Sequence, residues 1–380
     1  MTAEPAQPTP VMPSFPTDFG SMRNMIEYRF TLLDAYVDVN GLATFVVANE
    51  PIKVKFRELL GDLANHNLMA KIRKVADKLV ISVFPKPRLG RPRRTINLLL
   101  FLATVVTVGI ASYGLIFDLD PRLAAFMYTS LSAGDQFVAL AAGILGIIGL
   151  HEMGHVLAVR HHGMDATLPY FVPGPPPFGT FGAVISLRSP PANRDQLFDL
   201  GLSGPVTGFA VMILVAVIAI LVSPTITSQQ ATQLFAAKLL QTASWPNEPY
   251  FLDLLGQSAL RTVPSGETIV WSQIVIAAEI GSLVTFLNLL PVWQLDGGHI
   301  VRATLGDRPH KATALVAFGL LAVAGYWGFA ILLVIFMVLS RRPLEGLEPL
   351  DDISPLSNSR KVLFVLSLVM LALTFFILVP

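Results

Sequence analysis

From residue 95 onward the chain consists of long apolar runs separated by short polar stretches. A membrane-crossing helix needs about 20 mostly apolar residues. Residues 95–117, 137–160, 201–222, 272–291 and 361–379 meet that requirement. Residues 311–340 form a longer apolar segment, and the GYWG beginning at Gly325 suits two short helices joined by a tight turn. The pattern predicts an all-α polytopic membrane protein of about seven spans. Residues 22–88 read differently. IEYRFTLLDAYVDVN and LATFVVAN alternate as two strands around a turn at Asn40-Gly41. VKFRELLGDLANHNLMAKIRKVADKLV mixes charged and apolar residues at helical spacing, and ISVF suits a closing strand. This predicts a small soluble N-terminal α+β domain. It shows no ligand cluster or Gly-rich loop, so it is expected to be an accessory domain. The Pro-rich start, residues 1–21, lacks the basic-then-apolar order of a signal peptide and reads as a disordered tail. The expected organisation is therefore a tail (1–21), the accessory domain (22–88), a membrane domain (95–340), and a linker with a last transmembrane helix (341–380).

Composition agrees with the pattern. The chain is 53% hydrophobic and only 14% charged, against about 25% charged in soluble domains. Its net charge of +1 gives no attraction to nucleic acid, and none is expected as a partner. The absence of cysteine removes disulfides, thiolate zinc sites and Cys nucleophiles together, leaving His and carboxylates to hold any metal. Lys and Arg collect on the cytoplasmic side of a membrane. KPRLGRPRR at 86–94 therefore places the N-terminal domain in the cytoplasm, with loops 118–135 and 223–271 outside and loops 161–200 and 292–311 inside. Two short spans within 311–340 keep Arg341, Arg342, Arg360 and Lys361 inside and put the C-terminus outside. The cysteine-free chain and its N-terminal domain fit the cell membrane of a prokaryote.

The second span raises a chemical question. GILGIIGLHEMGHVLAV is apolar enough for lipid, yet it holds two histidines and a glutamate within five positions. A carboxylate in hydrocarbon costs about 2.5–3.5 kcal/mol, so Glu152 needs a reason to be there. His151 and His155 are four apart and share a helix face, where two imidazoles can bind one ion. Glu152 lies beside them, placed to take a proton from a metal-activated water. A catalytic zinc site wants a third protein ligand and an open fourth position. Asp296, in NLLPVWQLDGGHI, supplies a carboxylate between a helix-ending Pro291 and two glycines, on the same cytoplasmic side.

HEMGH in one membrane helix and NLLPVWQLDGG near a later one resemble the two motifs of the site-2 protease family of intramembrane zinc metalloproteases, over roughly residues 95–340. The resemblance implies that His151, His155 and Asp296 bind one Zn2+ per chain and that Glu152 is the general base. It also implies that Asn288 contacts the substrate backbone or the developing oxyanion; a polar residue packing between helices is the alternative. GLSGPVTGF matches the family's Gly-rich helix, with Gly204 and Gly208 spaced for close helix approach. LPYFVPGPPPFGTFGAVISL lies where family members have a membrane-associated hairpin that pairs with an extended substrate; a plain surface loop is the alternative. Region 223–271 has a helical stretch at ATQLFAAKLL and no PDZ-like signature, unlike family members with a PDZ domain there.

His161, His162, His299 and His310 fall on the pentad's side, either solvated at the interface or supporting the ligands. Glu279, a charge within the fourth span, either snorkels outward or lines a water path. The expected function is intramembrane zinc metalloproteolysis: hydrolysis of a peptide bond in or near a transmembrane segment of a membrane-protein substrate. By resemblance this would free a cytoplasmic domain such as a transcription regulator or anti-sigma factor. A metal transporter would instead spread ionisable residues along several spans, and a non-catalytic assembly factor would be expected to lack Glu152 or a ligand. The expected partners are that substrate and the lipid bilayer; the sequence carries no sign of oligomeric state.

Overall fold

The computed structural model describes residues 17–86, 93–241, 244, 246–258, 260–292, 295–339 and 347–377. Most of the expected tail lies outside the described residues. So do Arg88, Arg91, Arg341 and Arg342, which entered the orientation argument, and Trp293 and Gln294 of the second motif. The chain divides into two compact units. One gathers Met1–Gly90 with Pro190–Leu197 and Glu348–Leu356, and the other holds the remainder.

The first unit starts with helix α1 (Phe19–Glu27), whose N-terminus is capped by the Asp18 carboxylate accepting from the Ser21 amide. Strands β1 (Leu32–Val37) and β2 (Ala43–Val47) form the expected hairpin across the Asn40-Gly41 turn. Of the strand expected to begin at IEYRF, Ile26 and Glu27 are instead the end of α1 and Tyr28–Phe30 form a turn. Met22 and Ile26, one turn apart, carry the inward face there, and the cap at Asp18 decides for helix. Helix α2 (Lys53–Asn65) is followed by β3 (Leu68–Val75) and β4 (Lys78–Pro85). The helical reading from Val54 to Val80 therefore holds only as far as Asn65. Asn67 at φ +55° turns the chain, and Leu68, Ala70 and Ile72 then alternate inward with a period of two. The sheet is antiparallel in the order β1-β2-β4-β3, with every residue of the inner strand β2 buried. At its β3 edge the Ile72 amide donates to Leu350 O, and Leu350 and Asp351 in turn donate to Pro191 O and Ala192 O. Two segments remote in sequence thus cover an edge that would otherwise be open. Lys53–Asp195 at 2.8 Å and Arg194–Asp352 at 3.0 Å are ion pairs of the same unit.

The second unit is mostly helical. Its elements are α3 (Arg94–Phe117), α4 (Pro121–Met127), α5 (Ala133–His161), the hairpin β5 (Tyr170–Pro173) and β6 (Thr180–Val184), and α6 (Arg194–Val222), whose first turn belongs to the first unit. There follow β7 (Thr225–Thr227), α7 (Ser228–Ala236), α8 (Tyr250–Gly256), β8 (Glu267–Ile269), α9 (Val275–Leu289), α10 (Asp296–Leu305), α11 (Asp307–Val323), α12 (Trp327–Leu339) and α13 (Asn358–Thr374). Among the described residues α3, α5 and α6 are long and apolar enough to cross a membrane, and α9 is a shorter apolar helix. The 311–340 segment breaks between α11 and α12, where Gly325 takes φ +84°. Ser132 caps α5, and Arg160 and His161 in its last turn face the negative end of the helix dipole.

Apolar side chains of α3, α5, α6 and α9 interlock around Ile144, Ile147, Met212 and Ala277. Small residues set how closely α5 and α9 approach. A methyl group on Gly143 would lie 2.9 Å from the Ala277 methyl, and one on Gly281 3.0 Å from Ile147. A second cluster joins Phe286 and Leu290 at the end of α9 to Ala317 and Leu321 of α11, with Phe286 5.4 Å from Tyr326 and 5.5 Å from Phe375.

Phe45 on β2 is fully buried and stacks on Phe19 at 5.3 Å. Phe45→Ala is expected to cost the N-terminal unit about 3–5 kcal/mol. Hydrogen exchange in the full-length protein measures this as lost protection of β2 and β4 amides. Unchanged protection there would contradict the packing described.

Candidate metal centre

His151 and His155 sit one turn apart on α5, at 2% and 5% exposure. Asp296 reaches them from the first residue of α10, after the chain leaves α9 and passes Pro291. Three ligand atoms then form a nearly equilateral triangle. His151 Nε2 to Asp296 Oδ2 is 3.1 Å, His155 Nε2 to His151 Nε2 is 3.2 Å, and His155 Nε2 to Asp296 Oδ2 is 3.3 Å. A tetrahedral zinc with bonds of about 2.0–2.1 Å sets its donors about 3.3 Å apart, so the triangle matches one face of a zinc coordination tetrahedron. Among the described residues these three are the group of His and carboxylate side chains that could hold a metal ion.

The tautomers agree with that use. His155 Nδ1–H donates to the Leu200 carbonyl at 2.7 Å, which leaves the Nε2 lone pair directed at the centre. Without a cation the triangle would set lone pairs against a carboxylate in a buried site, an arrangement that costs free energy. The donor set therefore fits a divalent ion.

Glycines on α6 make room for the ligands. A Cβ on Gly204 would fall 2.1 Å from His155 Nε2, and one on Gly208 3.0 Å from His151 Nδ1. A Cβ on Gly201 would fall 2.7 Å from the Asp296 carbonyl, and one on Gly154 of α5 would meet the Ser203 carbonyl at 2.5 Å. Gly297 is bound as tightly, with Leu289 O 1.9 Å from its missing Cβ. The expected Gly204–Gly208 pair does bring helices together, but what it packs against is the His155 and His151 side chains themselves. Gly201 joins it, a residue the sequence placed in the Gly-rich helix without a contact of its own.

Glu152, 6% exposed, accepts from the backbone N–H of Ile185, the residue after β6. The Asn288 amide nitrogen, near the end of α9, is 3.3 Å from His151 Nε2. Glu152, His155, Asn288, Asp296 and His299 line one cavity of about 180 Å³, together with Ala183–Ile185 of the hairpin. The structure thus brings together every residue singled out for chemistry and adds two backbone groups, Leu200 C=O and Ile185 N–H. A main-chain partner leaves no trace in the sequence, so side-chain patterns could not have named them.

The remaining histidines divide. His162 pairs with Asp199 at 2.8 Å, and Asp199 also receives Arg360 at 2.7 Å, so His162 belongs to an ion-pair network joining α5, α6 and α13. His161 is exposed against it. His299 borders the cavity, and His310 is fully buried on α11; the ring nitrogens His299 Nδ1 and His310 Nδ1 and Nε2 have no hydrogen-bond partner among the described residues. Glu279 lies away from this centre.

Comparison with known proteins gives the class. The profile of peptidase family M50 matches residues 139–335, a stretch holding both HEMGH and LDGG, and the chain belongs to this family, that of the site-2 proteases. The chain is 30% identical over 312 residues to a protein of Arabidopsis thaliana named "Probable zinc metalloprotease EGY1, chloroplastic", covering 73% of this chain and 52% of that protein. It is 27% identical over 316 residues to "Probable zinc metalloprotease EGY2, chloroplastic" of Oryza sativa subsp. indica, covering 79% and 53%. The chain spans about half the length of these relatives. No solved structure matches it.

A methyl group on Gly204 has no room beside His155, whereas one on Gly146 of α5 meets nothing within 4 Å. Gly204→Ala is expected to lower zinc affinity by about tenfold or more, with Gly146→Ala unchanged, both read by metal analysis of the purified proteins against a competing chelator. Equal zinc retention in the two variants would remove the cradle from the account.

Proposed function

We propose that the protein is an intramembrane zinc metalloprotease that cleaves a peptide bond in or near a transmembrane segment of a membrane-protein substrate. His151, His155 and Asp296 are the zinc ligands, Glu152 is the general base, and Asn288 steadies the carbonyl oxygen under attack. The observation that carries this reading is the 3.1–3.3 Å triangle of donors with a buried carboxylate beside it in one cavity.

Bound zinc supplies Lewis-acid chemistry, lowering the pKa of water and polarising a carbonyl. Glu152, held by the Ile185 amide, takes the proton of the attacking water and later gives it to the leaving amine. The Asn288 amide donates to the oxygen on which negative charge develops. The surrounding membrane core would keep bulk water from the peptide bond. A transmembrane substrate hides its amides in its own helix and must be extended before attack. In this reading the outer edge of β6 holds the unwound substrate by main-chain hydrogen bonds; it is supported by β6 pairing with β5 alone among the described strands and by its end bordering the cavity.

In the membrane, α3, α5, α6, α9, α11, α12 and α13 form seven spans. The N-terminal unit is a cytoplasmic accessory domain and the metal centre lies towards the cytoplasmic face of a prokaryotic cell membrane. The substrate's cytoplasmic part is then the fragment released. A metal transporter would need metal-binding groups continuing along the spans, and among the described residues the group that could hold an ion is His151, His155 and Asp296.

Glu152→Gln is expected to keep zinc and lose about 10²–10⁴-fold in turnover of a model transmembrane peptide. Asn288→Ala is expected to lower kcat by about 10²–10³-fold. Cleavage by Glu152→Gln at the wild-type rate would end the assignment. Because the chain has no cysteine, single substitutions test orientation directly. Ser130→Cys and Ser258→Cys should react with an impermeant maleimide from outside intact cells, and His161→Cys and Arg308→Cys only after lysis; any exchange between these groups would revise the spans.

A further inference from the structure

Beyond the metal centre, a second polar cavity lies at the other end of the same helices. It measures about 670 Å³ and shares no lining residue with the metal-centre cavity. Ile220 of α6 and Glu279 of α9 border it. At 1.5 Å per residue they lie about 24 Å and about 14 Å along their helices from Gly204 and Asn288. In this cavity the Glu279 carboxyl is hydrogen-bonded to that of Glu248, two residues before α8.

Two carboxyl groups in a hydrogen bond require a proton between them, since two carboxylates offer only acceptors and repel. The other charged groups lining the cavity do not relieve this. Asp253 of α8 and Glu267 of β8 add negative charge. Arg261 directs its guanidinium to the carbonyl oxygens of Leu221 and Ser223. Among the described residues no ion pair reaches Glu248 or Glu279, and burial pushes the Glu248 carboxyl up. Among the described residues the pair therefore stands at a polar cavity with no ion pair to hold it ionised.

The pair also joins two parts of the fold. Glu248 leads into α8, whose Phe251 and Leu252 are buried in the same apolar cluster as Val275 and Ala278 of α9, with Phe251 6.3 Å from Phe209 of α6. Pro246 O accepts from the Ile377 amide at 2.7 Å, fastening the same segment to the chain after α13. Glu279 is the polar point at which this cover meets α9, the helix that carries Asn288 at its far end.

We propose that Glu248 and Glu279 form a proton-held latch on the face away from the metal centre. With one proton shared, the segment from Pro246 through α8 is fastened to α9. When both carboxyls ionise, the proton leaves to solvent in the cavity and mutual repulsion frees the segment. The closed form binds one proton more than the open form, so falling pH favours closure and rising pH favours release. The latch does not depend on the protein being a protease.

Hydrogen exchange of the full-length protein in lipid nanodiscs at pH 6 and pH 9, corrected for intrinsic rates, tests it. In the wild type, Tyr250–Gly256 amides are expected to exchange about tenfold or more faster at the higher pH. Glu279→Gln and, separately, Glu248→Gln should remain closed at both, because a carboxamide donates to the remaining carboxylate without a titrating proton. Protection of α5 amides serves as the check that each variant is folded, and zinc content follows the metal centre independently. Wild-type protection of α8 that is equal at both pH values would overturn the latch. So would a pH response of undiminished size in both folded variants.

Discussion

Three electron-rich atoms held within 3.3 Å of one another, from residues up to 145 positions apart, are the constraint around which the second unit is arranged. Two imidazole nitrogens and a carboxylate oxygen at that spacing are unfavourable in a buried site unless a cation lies among them. The chain must therefore both tolerate the assembly and hold it still. Helical spacing on α5 fixes two of the three. The third arrives because α9 stops at Leu289 and α10 starts at Asp296, with Gly297 letting the turn fold directly onto the end of α9. The Leu200 carbonyl then selects the tautomer of His155.

The same constraint explains α6. Its glycines contribute no chemistry, yet each removes a side chain from a place where a ligand or the Asp296 backbone already stands. A helix of larger residues would pack on α5 only at a greater distance, leaving the imidazoles loose. Backbone of α6 and of the β5–β6 hairpin meets the site from two sides: Leu200 C=O against His155, and Ile185 N–H against Glu152. These side chains are thus positioned by main chain and by the absence of side chains. The cavity beside them, about 180 Å³, has room for several waters.

The first unit shows the opposite economy. Its apolar core, built from α1, α2 and one sheet face, includes Leu350, and its outer strand is closed by residues near Asp351 and Pro191. No cluster of candidate metal ligands occurs among its described residues. What continuous stretches of sequence suggest about a domain's extent is incomplete whenever distant loops supply an edge.

HEMGH at i, i+4 spacing, LDGG after a helix-ending proline and the apolar runs were legible in the sequence because each is a local pattern: helix periodicity, turn chemistry and hydropathy act over a few residues. Those patterns named His151, Glu152, His155 and Asp296 and the polytopic helical class, and the family resemblance added Asn288. They misjudged IEYRF and LMAKIRKV, where a cap at Asp18 and a left-handed Asn67 outweighed the surrounding periodicity. Tertiary structure alone decided that Gly201, Gly204 and Gly208 face the ligands, that Ile185 holds Glu152 and that Glu279 meets Glu248. Each depends on the distance between segments far apart in the chain. That distance is set by how whole helices pack, and no short stretch of sequence records it.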